Sequence, residues 1–185
     1  MILKRFLFNI KRDASIVGFK NVQKIEKNAF AYDNTVEYLN YDEKLQVVEQ
    51  SACEECKNLQ IIKIGKNEYI KVNEVLESPE DRKDRNVFIG KEEEIPNTDT
   101  LTIQTKAFYN CSKLHTVIFP DNKNITIEKD AFTGCTALRT VVLGLGVVNI
   151  HDQSFIGCTN VNFVCLSGST ADQFAREHGI NIINV

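Results

Sequence analysis

The six cysteines are the most reactive side chains in this 185-residue chain, because thiols form disulfides, bind zinc and act as nucleophiles. Cys53 and Cys56 have the C-x-x-C spacing of zinc ligands. A four-ligand site needs a second pair, and the sequence contains no other C-x-x-C and no H-x3-H. The spacing therefore predicts no metal site.

The three histidines, His115, His151 and His178, are the candidate general bases. They fall at unrelated positions, and none is expected to meet a cysteine nucleophile. A thiol hydrolase using Cys165 would need a strongly lowered thiol pKa beside a histidine, and the sequence supplies no such pair. Gly144-Leu145-Gly146 lacks the G-x-G-x-x-G pattern and the lysine of phosphate loops, so it is interpreted as a turn. The sequence predicts no catalytic residues, no cofactor and no small-molecule substrate.

Composition narrows the class of partner. The chain is 43% hydrophobic and 25% charged, as in an ordinary globular domain or a short repeat array. A net charge of −3 and a pI near 5.7 give no general attraction to nucleic acid or to anionic membranes. No apolar run approaches the ~18 residues of a membrane span. We therefore expect a protein partner, with no nucleic-acid binding and no membrane insertion.

The amino terminus has an apolar stretch that Asn9 interrupts and Lys11-Arg12-Asp13 ends. No small-residue cleavage site follows, so no signal peptide is predicted. The location of the protein stays open, because a longer or processed form could be exported.

A repeat accounts for most of the cysteines. Phe108, Phe132 and Phe155 lie 24 and 23 residues apart, and a cysteine follows each phenylalanine by three positions. Seven positions match in the three consecutive units 103–119, 127–143 and 150–166. Looser copies are found at 25–41 and 48–64, and a degenerate copy precedes them.

The repeat register is lost between residues 64 and 101. The strand-like Val87-Phe88-Ile89-Gly90 is interpreted as a distorted further copy, and the preceding segment 77–85 as a charged loop. We predict an array over residues 1–167, with an irregular insertion at about 67–100.

The spacing within one unit predicts its shape. Val117 and Phe119 alternate with Ile118, as in a strand with one buried side. Ile103, Phe108 and Cys111 are spaced more like helical turns, which predicts a short helical arc after each strand. Stacked units would pair their strands in parallel and share one core. The fold class is therefore an α/β, right-handed solenoid of about six or seven repeats, with a parallel β-sheet on its concave face.

The unit Ala107-Phe108-x-x-Cys111-x-x-Leu114-x-x-Val117-x-Phe119-Pro120 resembles the BspA-like class of leucine-rich repeats, I-x-x-x-A-F-x-x-C-x-x-L-x-x-[VI]-x-[LI]-P. Residues 168–180 are similar to that family's closing motif, G-S-x-A-x-x-[YF]-A-x-x-x-x-I. Characterised relatives act at cell surfaces and bind extracellular matrix proteins. The resemblance implies a non-enzymatic adhesion module that recognises host or cell-surface proteins.

The residue types in segment 168–185 also predict a cap, independently of the family resemblance. Ser169 followed by Asp172 is a capping-box pair at a helix start, and Gly179 suits the left-handed turn at its end. Residues 180–185 then return as a strand. We predict a helix-strand cap over residues 168–185.

The repeat position of Cys56, Cys111, Cys135 and Cys158 predicts a buried row of reduced thiols. Disulfides between neighbouring coils are the alternative, since such residues would lie about 5 Å apart, although their side chains would run parallel.

The outward side chains of the stacked strands are the predicted protein-binding surface. These residues are Tyr38, Asn40, Ile61, Lys63, Phe88, Thr116, Ile118, Thr140, Val142, Phe163 and Cys165. The first half is mixed and polar, whereas Ile118, Val142, Phe163 and Cys165 predict an exposed apolar contact patch. The alternative is that β-branched residues simply favour strands.

Two further alternatives stay open at this point. The charged loop at residues 77–85 is the second candidate surface, because insertions in repeat proteins commonly lie on a binding side. A structural or oligomerisation module within a larger assembly is the second candidate function.

Overall fold

The computed structural model describes residues 2–3, 16–19, 21–65, 99–144, 146 and 148–184, of which 2–3, 16–19 and 184 are described by their backbone alone. Its elements are β1 (Ile2–Leu3), β2 (Ile16–Phe19), β3 (Lys24–Ile25), β4 (Tyr38–Tyr41), β5 (Val47–Val48), β6 (Ile61–Ile64), β7 (Thr100–Ile103), β8 (Thr116–Ile118), β9 (Asn124–Ile127), β10 (Thr140–Val142), β11 (Val148–Ile150), β12 (Asn162–Cys165), α1 (Thr170–Glu177) and β13 (Asn181–Asn184).

The strands form two parallel sheets that the chain visits alternately. Sheet A has the order β1-β3-β5-β7-β9-β11, and sheet B the order β13-β12-β10-β8-β6-β4-β2. A coil that is described throughout, such as the one from β7 to β8, therefore consists of a sheet A strand, an arc of turns, a sheet B strand and a short link to the next sheet A strand. The predicted parallel solenoid with a terminal helix is confirmed.

Two local details of the predicted unit are wrong. The structure has two sheets, whereas the sequence predicts a single sheet. The arc between the two sheets is built of turns rather than helix. The reason is the left-handed residues that every described arc contains, such as Lys106 (φ 59°) and Asn110 (φ 57°). A right-handed helix cannot continue through such residues. Within the described residues, α1 is the sole α-helix.

The turn arcs are hydrogen-bonded to one another along the array. The amide of Cys53 donates to the carbonyl of Ala107 at 2.7 Å, and that of Phe108 donates to Ala131 at 2.9 Å. The next coil repeats this bond, because the Phe132 amide donates to Ser154 at 2.9 Å. The arcs thus form a third hydrogen-bonded side of the solenoid, which satisfies backbone groups that no sheet pairs.

The repeated phenylalanines stack in the core, as the repeat predicts. The ring centroids of Phe108 and Phe132 lie 5.3 Å apart, and those of Phe132 and Phe155 lie 5.2 Å apart. The interplanar angles are 13° and 6°. Offset-stacked rings at such distances contribute packing energy beyond their buried area.

All six cysteines are free and buried, and the buried row predicted for the four repeated cysteines is present. Each repeated thiol donates to a carbonyl of the preceding described coil: Cys111 Sγ to Cys53 O at 3.0 Å, and Cys135 Sγ to Phe108 O at 3.1 Å. Cys56 and Cys158 make the equivalent bonds to Phe30 and Phe132. This position therefore suits a small apolar side chain that carries a weak donor.

The solenoid ladder continues directly past the insertion. In sheet A, Val48 lies opposite Ile103, and in sheet B, Ile62 lies opposite Val117. The predicted further copy at 87–90 and the loop at 77–85 lie outside the described residues.

The end of the array carries the predicted helix and strand. Ser169 Oγ accepts from the Asp172 amide at 3.2 Å, and the Asp172 carboxylate accepts from the Gly168 amide at 2.8 Å. Gly179 (φ 65°) ends α1, and the Ile180 amide donates to Ala175 O at 2.8 Å. This is a Schellman ending. The boundaries 1–167 and 168–185 stay a prediction.

In the part of the chain that the structure describes, the single helix falls well short of the length and apolarity that crossing a membrane requires.

Candidate functional site

The outer face of sheet B consists of the strand side chains that point away from the core. The ladder registers arrange them in two rows, each with one member for every strand of sheet B except β2. The first row is Tyr38, Ile61, Thr116, Thr140, Asn162 and Asn181. The second row is Asn40, Lys63, Ile118, Val142, Val164 and Ile183.

The first row is a mostly polar stripe. Tyr38, Thr116 and Thr140 are half-buried, whereas Ile61 is only 5% exposed. The Tyr38 hydroxyl donates to Gln60 Oε1 at 3.4 Å, and Thr116 Oγ1 lies 2.9 Å from His115 Nδ1. Each of these hydroxyl groups makes a contact with a neighbouring side chain and still has a free hydrogen-bonding position for a partner protein.

Asn162 belongs to this row, although it is not among the residues predicted from the sequence. Its Nδ2 donates to Arg139 O at 2.8 Å, which fixes the amide beside Thr140. Because Thr140 lies opposite Asn162 in the ladder, the stripe extends one strand further than the threonines.

The second row changes character along the array. Asn40 and Lys63 are half-buried. Ile118, Val142 and Val164 are 3%, 0% and 6% exposed and form an apolar cluster separate from the core. The prediction of an exposed apolar patch at Ile118 and Val142 is wrong, because these β-branched side chains pack on one another along the ladder.

Phe163 and Cys165 are also misplaced by the prediction, since both lie in the core with 0% exposure. The prediction aligned Val164 with Val141, whereas Val141 lies opposite Phe163 and Val142 opposite Val164. The unit is one residue shorter between Cys158 and its strand. A slip of one residue in a strand sends every side chain to the opposite face.

The remaining predicted residues have these positions. Asn40, Lys63, Tyr38, Ile61, Thr116 and Thr140 lie on the outer face of sheet B in the predicted register. Phe88 lies outside the described residues, so its position stays a prediction. Among the described residues, Lys63 lies opposite Ile118.

The groups considered for catalysis are not assembled into a site. Burial raises the pKa of the Cys165 thiol, which is the opposite of what a thiolate nucleophile needs. His151 Nδ1 accepts from the Gln153 amide at 3.1 Å, and the His178 ring stacks on Phe174 with centroids 4.0 Å apart. Across residues 21–65, 99–144, 146 and 148–184, no three histidine, cysteine or acidic side chains form a metal-binding group.

Comparison with known proteins gives one family and more than one structural neighbour. The chain matches the family described as "BspA type Leucine rich repeat region" in six copies, over residues 3–76 and 90–176. The unmatched residues between these ranges include the charged segment 77–85. The comparison with curated proteins finds no match.

One structural neighbour is described as "Pneumococcal vaccine antigen PcpA". The two structures superpose with a TM-score of 0.53 at 15% sequence identity, and the match covers 91% of this chain and 41% of the neighbour. The chain thus spans less than half the length of that neighbour, and the likeness shows a shared fold.

Proposed function

Because this chain belongs to the BspA-type leucine-rich repeat family, we propose that it binds a partner protein with the outer face of sheet B and thereby mediates adhesion to host or cell-surface proteins. The family and the solenoid fold are those of a protein-interaction repeat module. A stack of coils offers one continuous surface, and stacked strands repeat a side chain about every 4.8 Å.

The alignment of Tyr38, Lys63, Thr116, Thr140 and Asn162 on one face carries this proposal. Tyrosine supplies a rigid contact with a polar tip, and the other four supply donors and acceptors. Their half-buried side chains lie on strands that are paired on both sides. These side chains are therefore already ordered, and binding costs little further conformational entropy.

Two observations support the adhesion role. The chain belongs to the BspA-type family, a resemblance that implies surface adhesion, and a structural neighbour carries the name of a vaccine antigen. The partner class we propose is therefore an extracellular matrix or cell-surface protein.

A binding assay on purified fibronectin, fibrinogen, laminin and collagen tests this proposal. We expect at least one of these immobilised proteins to retain the wild-type chain. The double variant Thr116→Arg/Thr140→Arg should bind at least tenfold more weakly, since two long charged side chains would project from the centre of the proposed face.

Sheet A offers a matched control. Thr102 and Thr126 are half-buried, lie opposite each other in the ladder and point outward from the other sheet. Thr102→Arg/Thr126→Arg should bind like the wild type. Binding to none of the four proteins would contradict the adhesion role, and equal loss in both double variants would contradict the assignment to sheet B.

A further inference from the structure

The second row on the outer face of sheet B shows an abrupt change in exposure at its end. Val142 and Val164 have strand neighbours on both sides and are 0% and 6% exposed. Ile183, the next member of the row, has a neighbour on one side and is 52% exposed. Among the described residues, no strand lies beside Ile183 on the far side of β13.

The inner side of β13 shows the same change. Phe163 in β12 is fully buried, whereas Ile182, which lies opposite it, is only partly buried against the core. Both sides of β13 thus leave apolar surface uncovered at the same edge.

The helical cap does not close this edge. Helix α1 packs against β11, β12 and β13. At the end of sheet A, it supplies Thr170 Oγ1 as the acceptor for the Val148 amide at 2.9 Å. Within the described residues, β13 is paired to β12 and no strand lies on its other side.

The sequence of β13 also lacks the residues that prevent an edge strand from pairing with another chain. Natural edge strands are commonly protected by lysine, proline or an inward-pointing charge. The sequence of β13 is Asn-Ile-Ile-Asn, which contains none of these. Half of the N–H and C=O groups of a parallel strand point towards each side, so β13 offers unpaired donors and acceptors beside Ile183.

We propose that the edge of β13 binds one extended segment of a partner protein as an additional strand of sheet B. The segment has an uncharged centre, with one apolar side chain beside Ile183 and the next beside Ile182. Main-chain hydrogen bonds supply the affinity, and the two isoleucines supply the specificity. This edge is separate from the two rows proposed above for adhesion and does not depend on them.

A labelled peptide is the probe for this edge. It has the sequence of residues 160–165, which contains the natural neighbour of β13, with serine in place of the cysteine. Fluorescence anisotropy should show saturable binding to the wild-type chain. Ile183→Lys should weaken binding about tenfold, because a charge would stand at the apolar contact.

Ile156 provides the matched control, since it is 50% exposed and lies on the turn arcs, away from β13. Ile156→Lys should bind the peptide like the wild type. Equal weakening by Ile156→Lys and Ile183→Lys, or no binding to the wild type, would overturn the proposal.

Two N-methylated peptides make the test independent of protein variants. One carries the methyl groups on odd-numbered amides and the other on even-numbered amides. An added strand points alternate amides at β13, so only one of the two should lose binding. Equal binding of both would overturn the proposal. So would dimerisation of the wild type in sedimentation that Ile183→Lys abolishes without any peptide binding, because a second copy would then occupy the edge.

Discussion

Lys63 lies directly opposite Ile118 in sheet B, although the whole segment 66–98 separates them in the sequence. The ladder thus joins two sets of coils without a gap, and the outer face of sheet B runs continuously from Tyr38 to Asn162. Residues that precede segment 66–98 and residues that follow it therefore lie on one face.

The stacked phenylalanine rings predict where a substitution lowers the stability of the array most. Phe132 is fully buried and stacks on Phe108 and Phe155, so Phe132→Ala should lower the free energy of unfolding by about 3–5 kcal/mol. Tyr32 is 67% exposed, and Tyr32→Ala should change it by less than about 0.5 kcal/mol. Urea denaturation followed by circular dichroism measures both. Similar losses in the two variants would contradict the stacked core.

Ser154 predicts a stabilising substitution. It occupies the alanine position of its unit, is fully buried, and its Oγ has no hydrogen-bond partner among the described residues. Ser154→Ala removes an unsatisfied hydroxyl and should raise the free energy of unfolding by about 1 kcal/mol.

The reverse change at the equivalent position of the preceding coil serves as its control. Ala131 is fully buried, and Ala131→Ser should destabilise the chain by about 1–3 kcal/mol. If Ser154→Ala lowers stability instead, the hydroxyl has a partner and the assignment fails.

The carboxylate of Glu128 predicts a link between neighbouring coils. Its Oε2 accepts from the Thr105 amide at 2.8 Å and from Thr105 Oγ1 at 3.0 Å. Glu128→Ala should cost about 1–2 kcal/mol of stability, measured by thermal unfolding. Glu128→Gln should be nearly neutral, because Gln104 makes the corresponding bond to the Gln50 amide. A large loss in the glutamine variant would show that the charge, rather than the acceptor, matters.

Asp172 predicts a pH dependence in the cap. The Gly168 amide, and then the Arg176 guanidinium, hold the pKa of Asp172 below its ordinary value. The folded state therefore binds the proton less readily than the unfolded state. This contribution is complete above the unfolded pKa of about 3.9 and is lost as the pH falls through the lower folded value.

Thermal unfolding between pH 6 and pH 2 measures this effect. The melting temperature of the wild type should fall more steeply on acidification than that of Asp172→Asn, which cannot titrate. Glu177→Gln, at an exposed position on the same helix, should follow the wild type. Identical slopes for wild type and Asp172→Asn would refute the linkage.

The repeat unit was predictable because the residues that packing constrains most also recur at the most regular spacing in the sequence. A phenylalanine that must stack on Phe132 and a thiol that must reach a carbonyl one coil away tolerate few substitutes, so their spacing is visible in the sequence. The capping residues Ser169 and Gly179 were predictable for the same reason. The serine side chain accepts a hydrogen bond from a backbone amide at the helix start, and the glycine adopts the left-handed conformation at the helix end.

The second sheet was missed although its signal was present. Leu101 and Ile103 alternate around Thr102, and Ile125 and Ile127 alternate around Thr126, as strands require. The spacing from Ile103 to Cys111 was interpreted as helical instead. Of the left-handed residues that exclude a helix, Lys106 gave no warning, whereas Asn110 is of a type that favours this conformation and is replaced by Gly134 and Gly157 in the next two coils.

The errors on the outer face come from register and from packing. One residue fewer between Cys158 and β12 moves Phe163 and Cys165 into the core, and a fixed repeat length cannot reveal such a deletion. The burial of Val142 depends on the side chains stacked beside it, which only the three-dimensional ladder shows.

A photo-crosslinking experiment tests the binding surface most directly. A photoreactive phenylalanine analogue placed at position 116 reports on the outer face of sheet B, and the same residue at position 126 reports on the outward side of sheet A. With whichever of the four matrix proteins retains the wild-type chain, position 116 should crosslink and position 126 should not. Crosslinking from position 126 alone would contradict the account.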